Sequence, residues 1–454
     1  MDVLFRRFQP KLAVLLCALI GLGTSSAQTK SGQADVLAQV NRIPGLSNIK
    51  HVVFIVKENR SFDNMFGHWN DQGSGRTPVN TASTGRTSTG QVINLQDMPD
   101  AVSHDICHGW GCFVQSIDNG KMDQFDLQNA GAPCSLNGDY ECYGVQTAAQ
   151  MAPYFTYGEQ FALGDNYYTS IKTATTPNHL YTVAAQSGGV ITNAPDGCDS
   201  APNDDLAVLD GNGNLSQQYP CVDMLTLMDE LQASGVSWRY YADTKIPFNA
   251  MELISHLRFG PLWVNNVPDS NFVTDVQNGK LQQVSWLMAT GEATDHPPFS
   301  LCFGENYTVN AINAIMNSQY WTTEPTAIFI TWDDSGGWYD HAPPPVLDQY
   351  GVGIRAPFLV ISPYTPQVTT PTIGSVSHVQ YEHSSVLRFV EDLFSLPNMT
   401  TRDAGSNQLA ADPAFFDFSQ APRSPAPQTP QQCVPNSTNN LHFYQAQQVA
   451  TPSR

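Results

Sequence analysis

Two pairs of oxygen-bearing side chains each follow a short apolar run of the sequence. Glu58 and Asn59 follow HVVFIVK, and Asp333 and Asp334 follow TAIFITW. Carboxylate and amide oxygens are the ligands that hard divalent cations prefer. Adjacent carboxylates repel each other, and a cation bound between them removes that repulsion. Each pair alone is also typical of a polar turn, but two strands that both end in oxygen ligands favour a metal site.

The hydroxyl-rich segment TSIKTATTPNHLY places Thr175 and Thr176 just before a Pro-Asn-His run. A threonine at a helix N-terminus close to a metal can act as a nucleophile. The metal lowers the pKa of its hydroxyl, and the helix N–H groups stabilise the charge that develops. Composition alone favours the commoner role, in which a threonine caps the helix.

Histidines form a further group of candidates. His104 and His108 are close in sequence, His296 lies in a DHPP run, and His378 and His383 come near the end of the chain. An imidazole beside a phosphoryl group can bind a non-bridging oxygen or protonate a leaving alkoxide. For each histidine taken singly, a hydrogen-bonded structural role is the commoner one.

Alternating strands and helices must position these residues. Apolar runs rich in β-branched residues predict buried strands. These runs are 51–57, 236–241, 284–288, 326–332 and 357–362. Apolar residues at helical spacing predict helices over 224–234 and 384–394. The alternation predicts an α/β protein whose sheet binds ligands at its carboxyl edge. A Gly-, Ser- and Thr-rich stretch at 71–97 predicts a long surface loop.

The N-terminus is typical of an export signal. Basic residues precede an apolar run at 12–22, which is too short to cross a bilayer comfortably, and small residues suited to cleavage end at Ala27. A membrane anchor is the alternative. The pair Arg6-Arg7 leaves both the general and the twin-arginine routes open. We therefore predict a signal peptide at 1–27 and a secreted or periplasmic protein.

The cysteines fit an oxidising compartment. Of nine cysteines, Cys17 falls in the signal, and the other eight form an even set that predicts disulfides. Three pairs are close in sequence, although spacing does not fix the connectivity. They are Cys107 with Cys112, Cys134 with Cys142, and Cys198 with Cys221, which leaves Cys302 and Cys433. A zinc–cysteine cluster is disfavoured because the spacings contain no CxxC pair.

Composition limits the partners. A net charge of −20 with only 21 Lys and Arg repels phosphate backbones and gives no broad attraction to anionic lipid surfaces. We therefore expect no nucleic-acid partner. We also expect no stable membrane insertion, because no segment after the signal is long and apolar enough to cross a bilayer. The oligomeric state is left open. After the signal we expect a lead-in segment at 28–48, a catalytic domain at 49–420 and a loosely ordered Pro-, Gln- and Asn-rich tail at 421–454.

Several long motifs, in order, resemble the bacterial phosphoesterase family that contains phospholipases C and a metal-dependent acid phosphatase. They are HVVFIVKENRSFDNMFG, NGKMDQF, TPNHLY, DHPP, ITWDDSGGWYDHAPPP, GVGIRAPFLVISPY and YEHSSVLRFVEDLF, and they span residues 48–396. The resemblance implies an alkaline-phosphatase-like α/β sandwich. It has a mostly parallel sheet, helices on both faces, long loop insertions and one main metal-centred site.

The resemblance also implies residue roles. Glu58, Asn59, Asp333 and Asp334 match the metal ligands, and Thr175 matches the nucleophile, which also binds the metal. An all-oxygen ligand set favours Mg, Ca or Mn over Zn.

Other positions match the family less closely. Thr176 is the alternative nucleophile, because the usual Gly-Pro before the nucleophile is Thr-Ala here. His104 and His296 match histidines that bind phosphate and assist proton transfer. His179 stands where the family motif has Arg.

Substrate-binding candidates are Thr176, His179, Asp340 and His341, the last two of which form the family's DH pair. The expected activity is hydrolysis of a phosphate ester or phospholipid through a phospho-threonine, as in a phospholipase C-like phosphodiesterase. An acid phosphatase on the same site is the alternative. A catalytically inactive binding protein is disfavoured because the whole ligand set is present.

Overall fold

The computed structural model describes residues 43–433, apart from 74, 103–104, 129–133, 135–139, 195, 244–248 and 368–372. The predicted signal peptide, most of the lead-in segment, His104 and the tail beyond residue 433 lie outside the described residues.

Strands are short except near the centre of the chain's main sheet. They are β1 His51–Lys57, β2 Thr84–Arg86, β3 Val92–Asn94, β4 Gln96–Met98, β5 Gly144–Gln146, β6 Ala162–Gly164, β7 Tyr167–Tyr168, β8 Leu206–Leu209, β9 Leu215–Gln218, β10 Trp238–Tyr241, β11 Asn266–Val267, β12 Val284–Met288, β13 Thr326–Trp332, β14 Phe358–Ile361, β15 Ser375–Ser377 and β16 Tyr381–Glu382.

Helices fall between and after these strands. They are α1 Phe62–Phe66, α2 Trp110–Ile117, α3 Ala152–Gln160, α4 Thr175–Ala184, α5 Leu227–Ala233, α6 Ala250–Leu253, α7 Ser255–Arg258, α8 Asn271–Gln277, α9 Leu301–Met316, α10 Gln319–Thr322, α11 His383–Phe394 and α12 Thr401–Gly405.

An eight-stranded sheet, in the order β11-β10-β12-β1-β13-β14-β6-β15, forms the centre of the described chain. β14 runs antiparallel to β13 and β6, and the other neighbouring pairs are parallel. Every residue of β1, β12 and β13 is buried, as expected for strands covered on both faces. The predicted α/β class with a mostly parallel sheet is confirmed.

Three predicted strands have the observed bounds, and two are shorter. β10 begins at Trp238, because the N–H of Val236 donates to Leu231 at the end of α5. β14 begins after Pro357, which has no N–H to donate to a neighbouring strand. The predicted surface loop at 71–97 contains the β2–β3 hairpin and the start of β4. These strands of three residues are too short to show an alternating pattern.

Four disulfides join the eight cysteines that follow the predicted signal. They are Cys107–Cys112, Cys134–Cys142, Cys198–Cys221 and Cys302–Cys433. The three predicted local pairs are confirmed. The fourth disulfide fixes the start of the predicted tail to α9, where Gln428 and Gln431 also donate backbone hydrogen bonds to Asn313 and Asn306. Within the described residues, no helix is both long and apolar enough to span a membrane.

A buried carboxyl on α11 is held in its protonated form. Glu391 is only 1 % exposed. Burial, followed by the hydrogen bond and negative charge of Asp403, raises the pKa of Glu391 to about 9, and Glu230 adds to this repulsion. Asn398 donates a hydrogen bond to Glu391 and acts in the opposite direction.

This carboxyl predicts a loss of stability in alkaline solution. The pKa of Glu391 is higher in the folded state than its ordinary 4.5, so the folded protein holds a proton that the unfolded chain has lost. Stability from this group is complete below the unfolded pKa and is lost as the pH rises through the folded pKa. We expect the fall in Tm between about pH 5 and pH 9 to be smaller in Glu391→Gln than in the wild type. The exposed Glu292→Gln is the control, and equal pH slopes in all three proteins would contradict the prediction.

Candidate active site

The turns after β1 and β13 lie side by side at the carboxyl edge of the sheet. Lys57 pairs with Trp332 in the register of the two parallel strands, so the residues that follow them are neighbours. The N–H of Asn59 donates to Asp333 Oδ1 at 3.0 Å. Burial raises the pKa of Glu58, and the nearby negative charges of Asp333 and Asp334 raise it further. The four predicted metal ligands from the strand ends are therefore brought together.

Tight backbone turns hold these side chains in place. Asn59 has a φ of 62°, in the left-handed region that asparagine tolerates better than most residues. Gly336 has a φ of 61°, and a Cβ atom there would lie 2.6 Å from the Cβ of Asn59. Only glycine fits at this contact. The N–H of Gly336 donates to Asp334 Oδ1 at 2.6 Å, which orients that carboxylate.

One oxygen of each of three ligands is left without a hydrogen bond. Asn59 Oδ1, Asp333 Oδ2 and Asp334 Oδ2 are buried and accept none from the residues that the structure describes. Burial and then the charge of Asp333 raise the pKa of Asp334 well above its usual range. Burial, Asp333 and Asp334 do the same to Glu58. Unpaired buried oxygens that repel each other fit the coordination of a divalent cation.

A second loop, at residues 105–108, adds Asp105, which the sequence predictions did not include, and His108, a candidate histidine to which they assigned no role. Asn59 Nδ2 lies 3.5 Å from Asp105 Oδ1 and 3.4 Å from His108 Nε2. His296 Nε2 lies 3.9 Å from Asp105 Oδ2. Asp105, His108 and His296 each offer a ligand atom within 4.8 Å of the others. For Asp105 the sequence signal is its spacing to His108, Asp-x-x-His, and this spacing did not reveal that the loop contacts Asn59.

The two imidazoles in this group differ in charge. Burial lowers the pKa of His108, but the negative charges of Asp105 and Asp334 outweigh it and raise the value to about 9. Burial lowers the pKa of His296, and the cationic His108 adds to this effect, while Asp105 opposes it. Near neutral pH, one imidazole is therefore protonated and the other is neutral. This arrangement provides both a cation for a phosphoryl group and a proton acceptor.

Thr175 is the first residue of α4, at the helix N-terminus that the sequence predicted. One turn later on the same face, His179 Nε2 lies 3.8 Å from Asp333 Oδ2. This face of the helix therefore adjoins the four predicted ligands Glu58, Asn59, Asp333 and Asp334, which we call the ligand group. Thr176 has a different environment. Its Oγ1 accepts from the N–H of Ala194, and its own N–H donates to Asn193, both at 2.9 Å.

Asp340 and His341 join another cluster. Arg355 Nε donates to both oxygens of Asp340 at 3.2 Å, and Arg355 Nη2 donates to Asp63 Oδ1 at 3.2 Å. His341 Nδ1 lies 2.6 Å from Asp63 Oδ2. Asp63, Asp340 and His341 have the spacing of metal ligands, but the Arg355 guanidinium already pairs with both carboxylates. A substrate-binding role for Asp340 and His341 stays a prediction.

The remaining two candidate histidines differ in their surroundings. His383 is buried; its Nε2 donates to the carbonyl of Asp333 at 3.0 Å, and its Nδ1 lies 2.9 Å from Tyr167 Oη. Burial lowers the pKa of His383 to about 4, so it supports the ligand turn as a neutral group. His378 is exposed and pairs with Asp165.

Comparison with known proteins identifies the family. The sequence model of the phosphoesterase family matches residues 49–397. The chain belongs to the phosphoesterase family. It is 27% identical to phospholipase C B of Mycobacterium tuberculosis over 87% of this chain and 84% of that protein. It is 26% identical to a non-hemolytic phospholipase C of Pseudomonas aeruginosa, over 92% of this chain and 64% of that protein. It is 25% identical to a non-specific phospholipase C1 of Arabidopsis thaliana, over 91% of this chain and 78% of that protein.

These relationships confirm the predicted family and enzyme class. The protein is a hydrolase of phosphoric esters. Among solved structures, it is similar to a protein in the alkaline phosphatase superfamily from Vibrio parahaemolyticus. That similarity has a TM-score of 0.35 at 10% identity and covers 84% of this chain and 79% of the other.

The ligand group predicts opposite effects of one substitution in two states of the protein. Asp334→Asn removes one of the repelling charges, so we expect it to raise the Tm of protein stripped of metal by a chelator. The same change removes a ligand, so the gain in Tm on adding Mn²⁺ should shrink. Thermal scans of both proteins with and without Mn²⁺ measure both effects. A wild type whose Tm does not respond to Mg²⁺, Ca²⁺, Mn²⁺ or Zn²⁺ would contradict the metal assignment.

Proposed function

We propose that this enzyme is an exported, metal-dependent phosphodiesterase of the phospholipase C type that works through a phospho-threonine at Thr175. The main support is the convergence of three buried oxygens, from Asn59, Asp333 and Asp334, beside the helix that begins with Thr175. None of the three accepts a hydrogen bond from the described residues. The family and the names of its relatives support ester hydrolysis at phosphorus and a phosphate-ester or phospholipid substrate.

The proposed metal ligands are Glu58, Asn59, Asp333 and Asp334, together with the Thr175 hydroxyl. When bound, a divalent cation supplies positive charge that lowers the pKa of a hydroxyl and offsets the charge of phosphoryl oxygens. This oxygen set favours Mg, Ca or Mn over Zn. Asp105, His108 and His296 lie beside it and offer nitrogen ligands, which zinc accepts readily.

Thr175 Oγ1 attacks phosphorus, and the bond from phosphorus to the leaving alcohol oxygen breaks. The N–H groups at the start of α4 face the charge that develops on the phosphoryl oxygens. An imidazole protonates the departing alkoxide. His104 and His296 were the expected donors, and His108 joins them because its raised pKa keeps it protonated. Neutral His296 is suited to accept a proton from the attacking hydroxyl or from the water that then hydrolyses the phospho-threonine.

Export is part of the proposal. The four disulfides fit an oxidising compartment, and the expected signal at 1–27 would direct the chain there. We place the catalytic domain at 49–420, which contains the region matched by the family.

The nucleophile assignment separates two adjacent threonines. Thr175→Ala should abolish turnover and leave the fold intact, and Thr175→Ser should keep part of it because the hydroxyl remains. Thr176→Ala should lower the Tm through the lost hydrogen bond with Ala194 while turnover persists. Steady-state kinetics with circular dichroism tests this, and mass spectrometry of acid-quenched reactions locates the phosphoryl group. Near wild-type turnover by Thr175→Ala would show that the assignment is wrong.

An acid phosphatase on the same site is the second candidate. It follows from the sequence motifs, which resemble a family that contains both phospholipases C and a metal-dependent acid phosphatase. We expect a higher kcat/KM for p-nitrophenyl phosphorylcholine than for p-nitrophenyl phosphate. The reverse ranking would replace the diesterase proposal with the monoesterase.

A further inference from the structure

A buried carboxylate links the ends of the three central strands. Asp295 lies in the turn that follows β12 and is fully buried. Its Oδ1 is 3.4 Å from Lys57 Nζ, at the end of β1. Its Oδ2 accepts from Trp332 Nε1, at the end of β13, at 3.1 Å. Tyr154 Oη, on α3, also donates to Oδ2, at 3.0 Å.

The residues that Asp295 contacts stand immediately before the two halves of the ligand group. Lys57 directly precedes Glu58, and Trp332 directly precedes Asp333. Asp295 itself directly precedes His296. A single side chain therefore connects the backbone positions from which the proposed metal ligands and the proton-transfer histidine project.

The same residue is held again through its backbone. Arg60 Nε donates to the carbonyl of Asp295 at 3.0 Å, and the N–H of Glu58 donates to the carbonyl of Thr294 at 2.9 Å. Lys57 and Arg60 thus hold Asp295 from both ends of the Glu58–Asn59 turn. All three charged side chains are excluded from solvent.

The surrounding structure is shaped to receive this carboxylate. Asp295 has a φ of 71°, a left-handed conformation that costs energy in a residue other than glycine. A Cβ atom on Gly304 of α9 would lie 1.6 Å from Asp295 Oδ1, so no other residue fits there. Lys57 Nζ also donates to the carbonyls of Gly304, at 3.0 Å, and Ala293. Burial of charges at this cost is expected where geometry must be fixed.

We propose that Asp295 is a positioning residue that fixes the spacing between the Glu58–Asn59 turn, the Asp333–Asp334 turn and His296. The inference rests on the proposed function of these groups. It explains why a fully buried lysine stands at the end of β1, and why its partner Asp295 also bonds to β13.

The first test compares Asp295→Asn with the wild type by two measurements. Isothermal titration calorimetry of the metal-free proteins with Mn²⁺ measures the affinity of the ligand group for the ion. This affinity depends on the positions of the ligands and does not depend on catalysis. Steady-state kinetics with p-nitrophenyl phosphorylcholine separates kcat from KM. We expect Mn²⁺ affinity and kcat each to fall about 10- to 100-fold, with a much smaller change in KM. Wild-type values for both in the folded variant would overturn the inference.

A double variant distinguishes positioning from simple charge neutralisation. Lys57→Met combined with Asp295→Asn removes both buried charges. If Asp295 serves only as a counterion, the double variant recovers wild-type kcat and Mn²⁺ affinity, and the inference fails. If Asp295 sets the spacing, the double variant stays impaired although its Tm recovers.

Milder variants cover the case in which Asp295→Asn does not fold. Tyr154→Phe removes one donor to Asp295 Oδ2 and keeps the ring. Trp332→Phe removes the other donor and replaces the indole with a smaller aromatic ring. We expect Trp332→Phe to reduce Mn²⁺ affinity and kcat more than Tyr154→Phe, because only Trp332 adjoins a ligand. Unchanged values in both variants would overturn the inference.

Asp275→Asn is the matched control. Asp275, a partly buried residue of α8, accepts from Arg239 Nη1 at 2.8 Å and from Tyr241 Oη at 2.9 Å. Like Asp295, it therefore has a cationic and an aromatic donor, but both donors lie on β10. Asp275→Asn should lower the Tm without changing Mn²⁺ affinity or kcat. A wild type that binds Mn²⁺ but hydrolyses neither p-nitrophenyl substrate would refute the proposed function alone, since the Mn²⁺ titrations would still test Asp295.

Discussion

Repulsion between buried carboxylates is the constraint on which this structure depends. Glu58, Asp333 and Asp334 converge at the carboxyl edge of the sheet, where burial and mutual charge raise the pKa values of Glu58 and Asp334. A folded chain does not keep such a group without compensation. A divalent cation is the compensation that we propose, and the turns at this edge of the sheet hold the three carboxyl groups close together.

The register of the parallel strands brings the carboxyl groups together. Parallel pairing of β1 with β12 and β13 brings three strand ends to one edge, and each end is followed by a polar turn. Backbone hydrogen bonds, such as that from Asn59 to Asp333, join these turns directly. Asp295 joins the turns a second time, because it contacts the side chains of Lys57 and Trp332. These two residues directly precede the Glu58–Asn59 and Asp333–Asp334 turns.

Electrostatics then divides the roles of similar residues. His108, His296 and His383 are all buried near the ligand group, yet only His108 is held protonated, because Asp105 and Asp334 face it. His383 is neutral and bonds to the backbone of the ligand turn. Residue type alone does not determine such a division. The charges brought close by folding determine it.

The sequence by itself determined the strands that carry the site and the residues that follow them. β1, β12 and β13 were predicted with their observed bounds because short runs rich in apolar, β-branched or aromatic residues are typical of buried strands. Family motifs supplied the order of the ligands and of Thr175. Only the tertiary structure decided which neighbours complete the site. Asp105 and His108 come from a loop without periodicity, and the partners of Asp295 are up to 238 positions away in the chain, at Lys57. Such contacts depend on strand order and register, which local sequence patterns do not specify.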